Sequence, residues 1–163
     1  MAANQGSIST TMNACTYPDR TMYYVASAHE KDLMGMADVF MDMVFHPAIE
    51  QSSQYFLQEG WHLELFNEDE LPSYKGIVYN EMKGAYASVD DVSGELMNSL
   101  VYNGSTYAKD SGGNPSEIKN LTFEQFKNMH EKFYSPSNSY IFLDGDVDLN
   151  DILPLLDSYL CEY

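Results

Sequence analysis

The segment Tyr74-Lys-Gly-Ile-Val-Tyr-Asn-Glu-Met-Lys-Gly-Ala-Tyr86 lies in the middle of the chain and decides how the rest is interpreted. We predict that it belongs to a helix from Ser73 to Ser88. This helix carries one carboxylate, Glu81, directly after the amide Asn80. A single glutamate on a helix is most often an ordinary solvated residue. The segment therefore gains a functional meaning only from the sequence blocks around it.

On the N-terminal side of this segment the sequence predicts a hairpin and two helices. Stretches rich in Thr, Tyr and Val flank the turn sequence Tyr17-Pro-Asp-Arg20, which indicates a β-hairpin over Ser7–Ala28. Apolar residues at helical spacing predict a helix over Glu30–Phe45, which Pro47 ends. A second helix is predicted over Glu50–Glu59. The apolar face of the first helix is predicted to consist of Leu33, Met36, Ala37, Phe40 and Val44.

A strand and a further helix are predicted on either side of the Glu81 helix. Trp61–Phe66 alternates as a strand does, and Trp61, Leu63 and Leu65 share one face of it. After the Glu81 helix, a break near Val89–Asp91 is predicted to precede another helix that ends at about Tyr102.

Towards the C-terminus the predicted elements again mix strands and helices. Thr122 and Gln125 stand at capping-box spacing and open a helix that runs to Tyr134. A long polar loop, a strand and a last helix are predicted at Asn103–Asn114, Ser139–Leu143 and Asp148–Leu160. Strands and helices do not alternate strictly as in βαβ units, which indicates the α+β class, with an antiparallel sheet and helices packed on one face. The length fits a single domain, 1–163.

Composition and charge limit the classes of partner. The net charge is −17, from 25 acidic and 8 basic residues. Binding to nucleic acid needs clustered Lys and Arg, and anionic membranes attract the same cations, so we expect neither partner. The acidic surface either only keeps the protein soluble or attracts basic peptides. No apolar run reaches the ~20 residues that span a bilayer, and no signal-peptide pattern is visible, so we expect a cytoplasmic protein. Cys15 and Cys161 are expected to be reduced thiols.

Five sequence blocks occur in an order that resembles one peptidase family. They are Asn13–Tyr23, Gln58–His62, Tyr79–Gly84, Asp110–Pro115 and Phe133–Asn138. Together they resemble, from about Ser9 to Leu160, the presequence-protease branch of the pitrilysin/insulinase zinc metallopeptidases. The chain is similar to the second half of the N-terminal catalytic domain of these enzymes. The resemblance implies a parent enzyme of two halves that encloses and degrades short, unstructured peptides.

The resemblance also implies roles for two residues of the predicted helix. In that family an inverted zinc motif, His-x-x-Glu-His, supplies two histidine ligands and the catalytic glutamate, and a distal glutamate completes the zinc site. By resemblance Glu81 is this distal ligand. Asn80 either orients a ligand or the substrate, or is plain helix surface.

The zinc motif itself is absent from all 163 residues. The chain is therefore either a truncated part of such an enzyme or a non-catalytic relative. No two of its histidines are four residues apart on a predicted helix; they are His29, His46, His62 and His130. We expect no specific zinc site and no peptidase activity from this chain alone.

Asn13 and Ala14 are the candidates for substrate binding. In relatives, the matching Asn-Ala lies on an edge strand that pairs with the extended peptide, a mode that depends on backbone groups. The alternative is an ordinary hairpin strand paired within its own sheet. An exposed edge would also allow a homodimer through strand pairing. The expected partners are thus peptide substrates, the remaining domains of the parent chain and possible second copies. The alternative function is a non-catalytic binding or scaffold protein of the same fold.

Overall fold

The computed structural model describes residues 10–161. These residues divide into two compact units, the first formed by 10–15, 22–48 and 128–161, and the second by 16–21 and 49–127. Helices are mixed with small sheets, which confirms the α+β class. The strands form two separate two-stranded sheets instead of one larger sheet. The assignment of 1–163 to a single domain stays a prediction.

The predicted N-terminal hairpin is present as strands β1 (Thr10–Thr16) and β2 (Thr21–Ser27), which pair with each other. The Tyr17 N–H donates to the Arg20 carbonyl at 2.8 Å and closes the predicted turn. Pro at the second turn position favours this geometry because its φ angle is already restricted. Residues 7–9 of the predicted hairpin lie outside the described residues.

The first unit is organised around helix α1 (Glu30–Phe45) and helix α7 (Leu149–Leu160), which pack together. Both helices follow their predicted bounds, and the Asp148 carboxylate caps α7 by accepting from the Asn150 N–H at 2.8 Å. No residue of the predicted apolar face of α1 is exposed. The buried side chains of these two helices are Met36, Phe40, Phe45, Ile152 and Leu156.

The second unit contains helices α2 (Ser53–Glu59), α3 (Ile77–Ala85), α4 (Val89–Val101) and α5 (Pro115–Ile118). Its buried side chains are Phe56, Tyr79 and Ile118. Helix α2 begins three residues later than predicted because the Ser52 hydroxyl accepts from the Gln54 N–H at 3.2 Å and caps the helix there.

Helix α6 (Phe123–Phe133) starts with the predicted capping box. The Gln125 N–H donates to Thr122 Oγ1 at 3.2 Å, and the Thr122 N–H donates to Gln125 Oε1 at 2.9 Å. These reciprocal bonds satisfy backbone donors that the first turn of a helix leaves unpaired.

The prediction for the start of the Glu81 helix was wrong. Ser73–Lys75 forms strand β4, which pairs antiparallel with strand β3 (His62–Glu64). The strand predicted over Trp61–Phe66 is therefore present, but it is shorter than expected and consists of β3 alone. Leu63 and Leu65 are exposed. Gly76 has φ 145° and ψ 151°, which is not a helical conformation, so the helix begins at Ile77.

Two further predictions differ from the structure. The chain breaks at residues 86–88 instead of Val89–Asp91, because the Ser88 hydroxyl caps α4 by accepting from the Asp91 N–H. Ser139–Leu143 is not a strand, since no strand of the described part of the chain pairs with it. Short 3₁₀ turns occur at Ala48–Glu50, Thr106–Ala108 and Pro136–Asn138. Within residues 10–161 no helix is long and apolar enough to cross a membrane.

Candidate functional site

Helix α3, which carries Glu81, is anchored directly before its first residue by a close approach of two glycines. A Cβ atom placed on Gly76 would lie 2.1 Å from the Gly60 carbonyl oxygen and 2.8 Å from Trp61 Cα. The Gly60 carbonyl oxygen accepts from the Tyr79 N–H at 3.3 Å. The end of α2 and the start of α3 are therefore packed backbone against backbone, which only glycine at position 76 permits.

Aromatic side chains hold the same end of α3 from the side. The Tyr74 ring lies between Trp61 and Tyr79, with ring centroids 5.8 Å and 5.9 Å apart. The Trp61 indole N–H donates to the Leu121 carbonyl at 2.9 Å. Tyr79 is buried, so one side of α3 faces the interior of its unit. This packing leaves the rest of the helix little freedom to shift.

Glu81 and Asn80 lie next to each other on α3, and both are exposed. Glu81 makes no hydrogen bond or ion pair with any residue in the range 10–161. All of its carboxylate lone pairs are therefore available to solvent or to a group from outside the described residues. The helical position of both residues was predicted correctly.

A group of polar side chains near the C-terminal end of α3 was missed by the sequence reasoning. Burial of the phenol, together with the charges of the nearby Asp110 and Glu95 carboxylates, raises the pKa of Tyr86 to about 12. Burial, with the charge of Asp110, also raises the pKa of Glu95. The Gly112 N–H donates to Asp110 Oδ1 at 2.8 Å and holds that carboxylate in place. No sequence signal could have found this group, because its members are far apart in the chain and meet only in the folded unit.

Asn13 and Ala14 lie on β1 and are both exposed. Their neighbours alternate between half-buried and exposed positions, and this alternation is interrupted at these two residues. Asn13 Oδ1 accepts from the Ala14 N–H at 2.8 Å. Among the described strands, β1 pairs with β2 alone, which leaves the other side of β1 without a strand neighbour. Asn13 and Ala14 belong to the first unit, and Asn80 and Glu81 to the second.

Two of the histidines contact backbone carbonyl oxygens. His62 Nδ1 lies 2.7 Å from the Leu57 carbonyl oxygen, and His130 Nε2 lies 2.9 Å from that of Val44. The other two histidines flank α1 at its ends. In the part of the chain that the structure describes, no group of three or more His, Cys, Asp or Glu side chains could hold a metal ion. These residues by themselves therefore do not fit a complete zinc site.

Two family models match the chain. The model described as insulinase (peptidase family M16) matches residues 1–110, which include Glu81 and both small sheets. This chain belongs to the insulinase family, M16. The model described as the peptidase M16 inactive domain matches residues 120–163. The family membership confirms the resemblance that the five sequence blocks indicated.

Individual M16 relatives extend the match over nearly the whole chain. HypA of Clostridium perfringens is 47% identical over 153 residues, which cover 94% of this chain and 16% of HypA. The chloroplastic/mitochondrial presequence protease 1 of Arabidopsis thaliana is 47% identical over 156 residues, 96% of this chain and 14% of that protein. The mitochondrial presequence protease of Drosophila melanogaster is 38% identical over 154 residues, 93% of this chain and 15% of that protein. The chain thus spans about one seventh of the length of these relatives.

Proposed function

We propose that this chain is part of a zinc metalloendopeptidase that hydrolyses short, unstructured peptides, and that Glu81 supplies one ligand to the zinc ion. The observation that carries the proposal is the state of Glu81, an exposed carboxylate without a partner among the described residues, on a helix whose other side is anchored. The match of residues 1–110 to the insulinase family and the relatives named presequence protease support the class of reaction.

The packing of α3 suits a metal ligand. A ligand has to be held within a fraction of an ångström of its working position, which is achieved best on a rigid element. The Gly60–Gly76 backbone contact and the Trp61–Tyr74–Tyr79 ring packing provide that rigidity at the start of the helix. Glu81 lies a little more than one turn further on, so its backbone position follows from this anchor.

A catalytic zinc ion takes three protein ligands and keeps one position for the water that attacks the peptide bond. Glu81 would provide one of these ligands, and a His-x-x-Glu-His motif outside the 163 residues would provide the other two. Because the described residues offer no second and third ligand, we propose that the isolated chain neither binds zinc specifically nor cleaves peptides. The exposed side-chain amide of Asn80 would orient a neighbouring ligand or the substrate through a hydrogen bond.

The proposed peptide-binding element is the free side of β1 at Asn13 and Ala14. An extended peptide can add to such an edge through backbone hydrogen bonds, which tolerate many side-chain sequences. The Ala14 N–H is already bonded to the Asn13 side chain, so a peptide that uses this donor has to displace the Asn13 amide oxygen. Pairing of two copies through the same edge stays a prediction, and so does the cytoplasmic location.

The test compares Glu81→Gln with Glu131→Gln in the full-length protein. Glutamine keeps the size of the side chain and removes its charge, and Glu131 is an exposed carboxylate on α6 that serves as the control. Loss of a direct ligand should lower zinc affinity by at least about 100-fold, which is more than the loss of a residue that only orients a ligand. Bound zinc is measured by mass spectrometry after dialysis, and activity with a fluorogenic unstructured peptide.

Undiminished zinc content and activity of Glu81→Gln would disprove the ligand role. A full-length wild-type protein that binds no zinc and cleaves no peptide would instead favour the non-catalytic scaffold function. Asn80→Ala should keep the zinc content and lower activity by roughly 10-fold or more if Asn80 orients a ligand or the substrate.

A further inference from the structure

Helix α4 (Val89–Val101) has its amphipathic pattern reversed. The half-buried positions of this helix are both polar, Glu95 and Ser99. Its large apolar side chains face solvent, with Leu96 61% exposed, Met97 61% and Leu100 70%. Val89 and Val101 at its two ends are also well exposed.

This arrangement differs from that of a typical surface helix. A surface helix normally turns its apolar stripe to the core and its polar face to water. Helix α1 follows this rule, since its buried residues Met36, Phe40 and Phe45 are all apolar. In α4, Val89, Leu96 and Leu100 recur at spacings of seven and four residues, and therefore form a continuous apolar stripe along the helix. Contiguous apolar surfaces of this kind mark interaction sites.

We propose that the outer face of α4 is an internal interface, covered by an apolar segment of the same, longer polypeptide that lies outside these 163 residues. The M16 relatives are about six to seven times as long as this chain, so a longer polypeptide offers ample sequence for such a segment. The proposal depends on family membership and not on the role of Glu81, and the two can fail independently.

The charges of α4 argue against a second copy as the occupant and indicate the chemistry of the segment. Asp90 lies beside the apolar stripe of α4, and the helix has no basic residue. Two α4 faces in contact would bring like charges together in a chain whose net charge is −17. Like-charge juxtaposition across an interface is unfavourable, whereas a basic residue beside the apolar stripe is complementary. The covering segment is therefore apolar on one face and carries Lys or Arg opposite Asp90.

The test places a photo-reactive benzophenone side chain at position 96 in the full-length protein, expressed from the complete reading frame. Irradiation should give a cross-link within one polypeptide, which peptide mapping assigns to a segment outside the 163 residues that contains Lys or Arg. The matched control is the same side chain at Asn98, which is exposed on roughly the opposite side of α4 and should give no such cross-link.

A second measurement does not depend on substitution. Methionine oxidation follows exposure, so Met97 should be oxidised at least about tenfold more slowly in the full-length protein than in the 163-residue chain. Equal oxidation rates would overturn the proposal. A cross-link to a second copy, a cross-link to an added substrate peptide, or no cross-link at position 96 would each overturn it as well.

Discussion

Replacing Gly76 by alanine tests the packing that fixes the Glu81 helix. In the native chain Gly76 has φ 145°, a backbone conformation that residues other than glycine rarely adopt. The added Cβ would meet three backbone atoms, the Gly60 carbonyl oxygen at 2.1 Å, the Gly60 carbonyl carbon at 2.7 Å and Trp61 Cα at 2.8 Å. Backbone atoms cannot rotate away as the end of a flexible side chain can, so the junction between α2 and α3 has to open.

Two contributions set the size of the effect. A residue forced into a glycine-only backbone region costs about 1–3 kcal/mol. Overpacking of a well-packed site costs about 1–3 kcal/mol more. We therefore expect Gly76→Ala to lower the free energy of unfolding by about 3 kcal/mol or more. In a chain of this size that corresponds to a melting temperature lower by roughly 6–12 °C.

The assay is urea unfolding of the 163-residue chain, followed by tryptophan fluorescence and by circular dichroism. Trp61 is the one tryptophan of the sequence and lies at the affected contact, so its fluorescence reports on the second unit directly. The matched control is Gly84→Ala on the same helix, where an added Cβ meets nothing within 4 Å. Because alanine favours a helix interior over glycine, this variant should be unchanged or more stable by up to about 1 kcal/mol. The reasoning is refuted if Gly76→Ala stays within about 1 kcal/mol of the wild type, or if Gly84→Ala is destabilised as much.

Three further predictions concern other contacts. Thr122→Ala removes the capping box of α6 and should lower the free energy of unfolding by about 1 kcal/mol in urea titrations; an unchanged value would contradict the capping role. Tyr107→Phe removes the hydroxyl that donates to Asp19 Oδ2 at 2.7 Å, which is the main cause of the lowered Asp19 pKa. Because the folded-state pKa of Asp19 is lowered, the stabilisation from this bond is present above the unfolded pKa and is lost as pH falls through the folded pKa. The variant should therefore show a higher Asp19 pKa in an NMR titration. An unchanged pKa would argue against the bond. Asp110→Asn should lower the pKa of Tyr86 from about 12 towards its ordinary value, and the fall should be only partial because the phenol stays buried. The absorbance of the phenolate measures this pKa. An unchanged pKa would exclude an effect of the Asp110 charge.

The candidate site was predictable from sequence only in part. The helical position of Asn80 and Glu81 was predicted correctly, and so was the location of Asn13 and Ala14 on a hairpin strand. Their assignment to two different compact units was not, nor was the hydrogen bond from the Ala14 N–H to the Asn13 side chain. The group of Tyr86, Glu95 and Asp110 near the end of α3 also needed the structure, because the chain brings these residues together only after α4 and the following loop have folded back.

Local interactions explain the elements that sequence patterns predicted well. Helix hydrogen bonds join residues four apart, and caps and turns act within a few residues, so the pattern in one window contains nearly all of the information. Helix α1 with its apolar face, the Thr122–Gln125 capping box and the Tyr17–Arg20 turn are of this kind.

Tertiary structure decided the features that depend on a partner elsewhere in the chain. A strand is stabilised by hydrogen bonds to a neighbouring strand, so its own sequence cannot reveal whether that neighbour is present. Ser73–Lys75 became a strand because His62–Glu64 lies beside it, whereas Ser139–Leu143 has a strand-like sequence and no described strand to pair with. The exposed apolar stripe of α4 has the same physical origin, since the periodicity of a helix shows which residues share a face, and only the packed chain shows whether that face is covered.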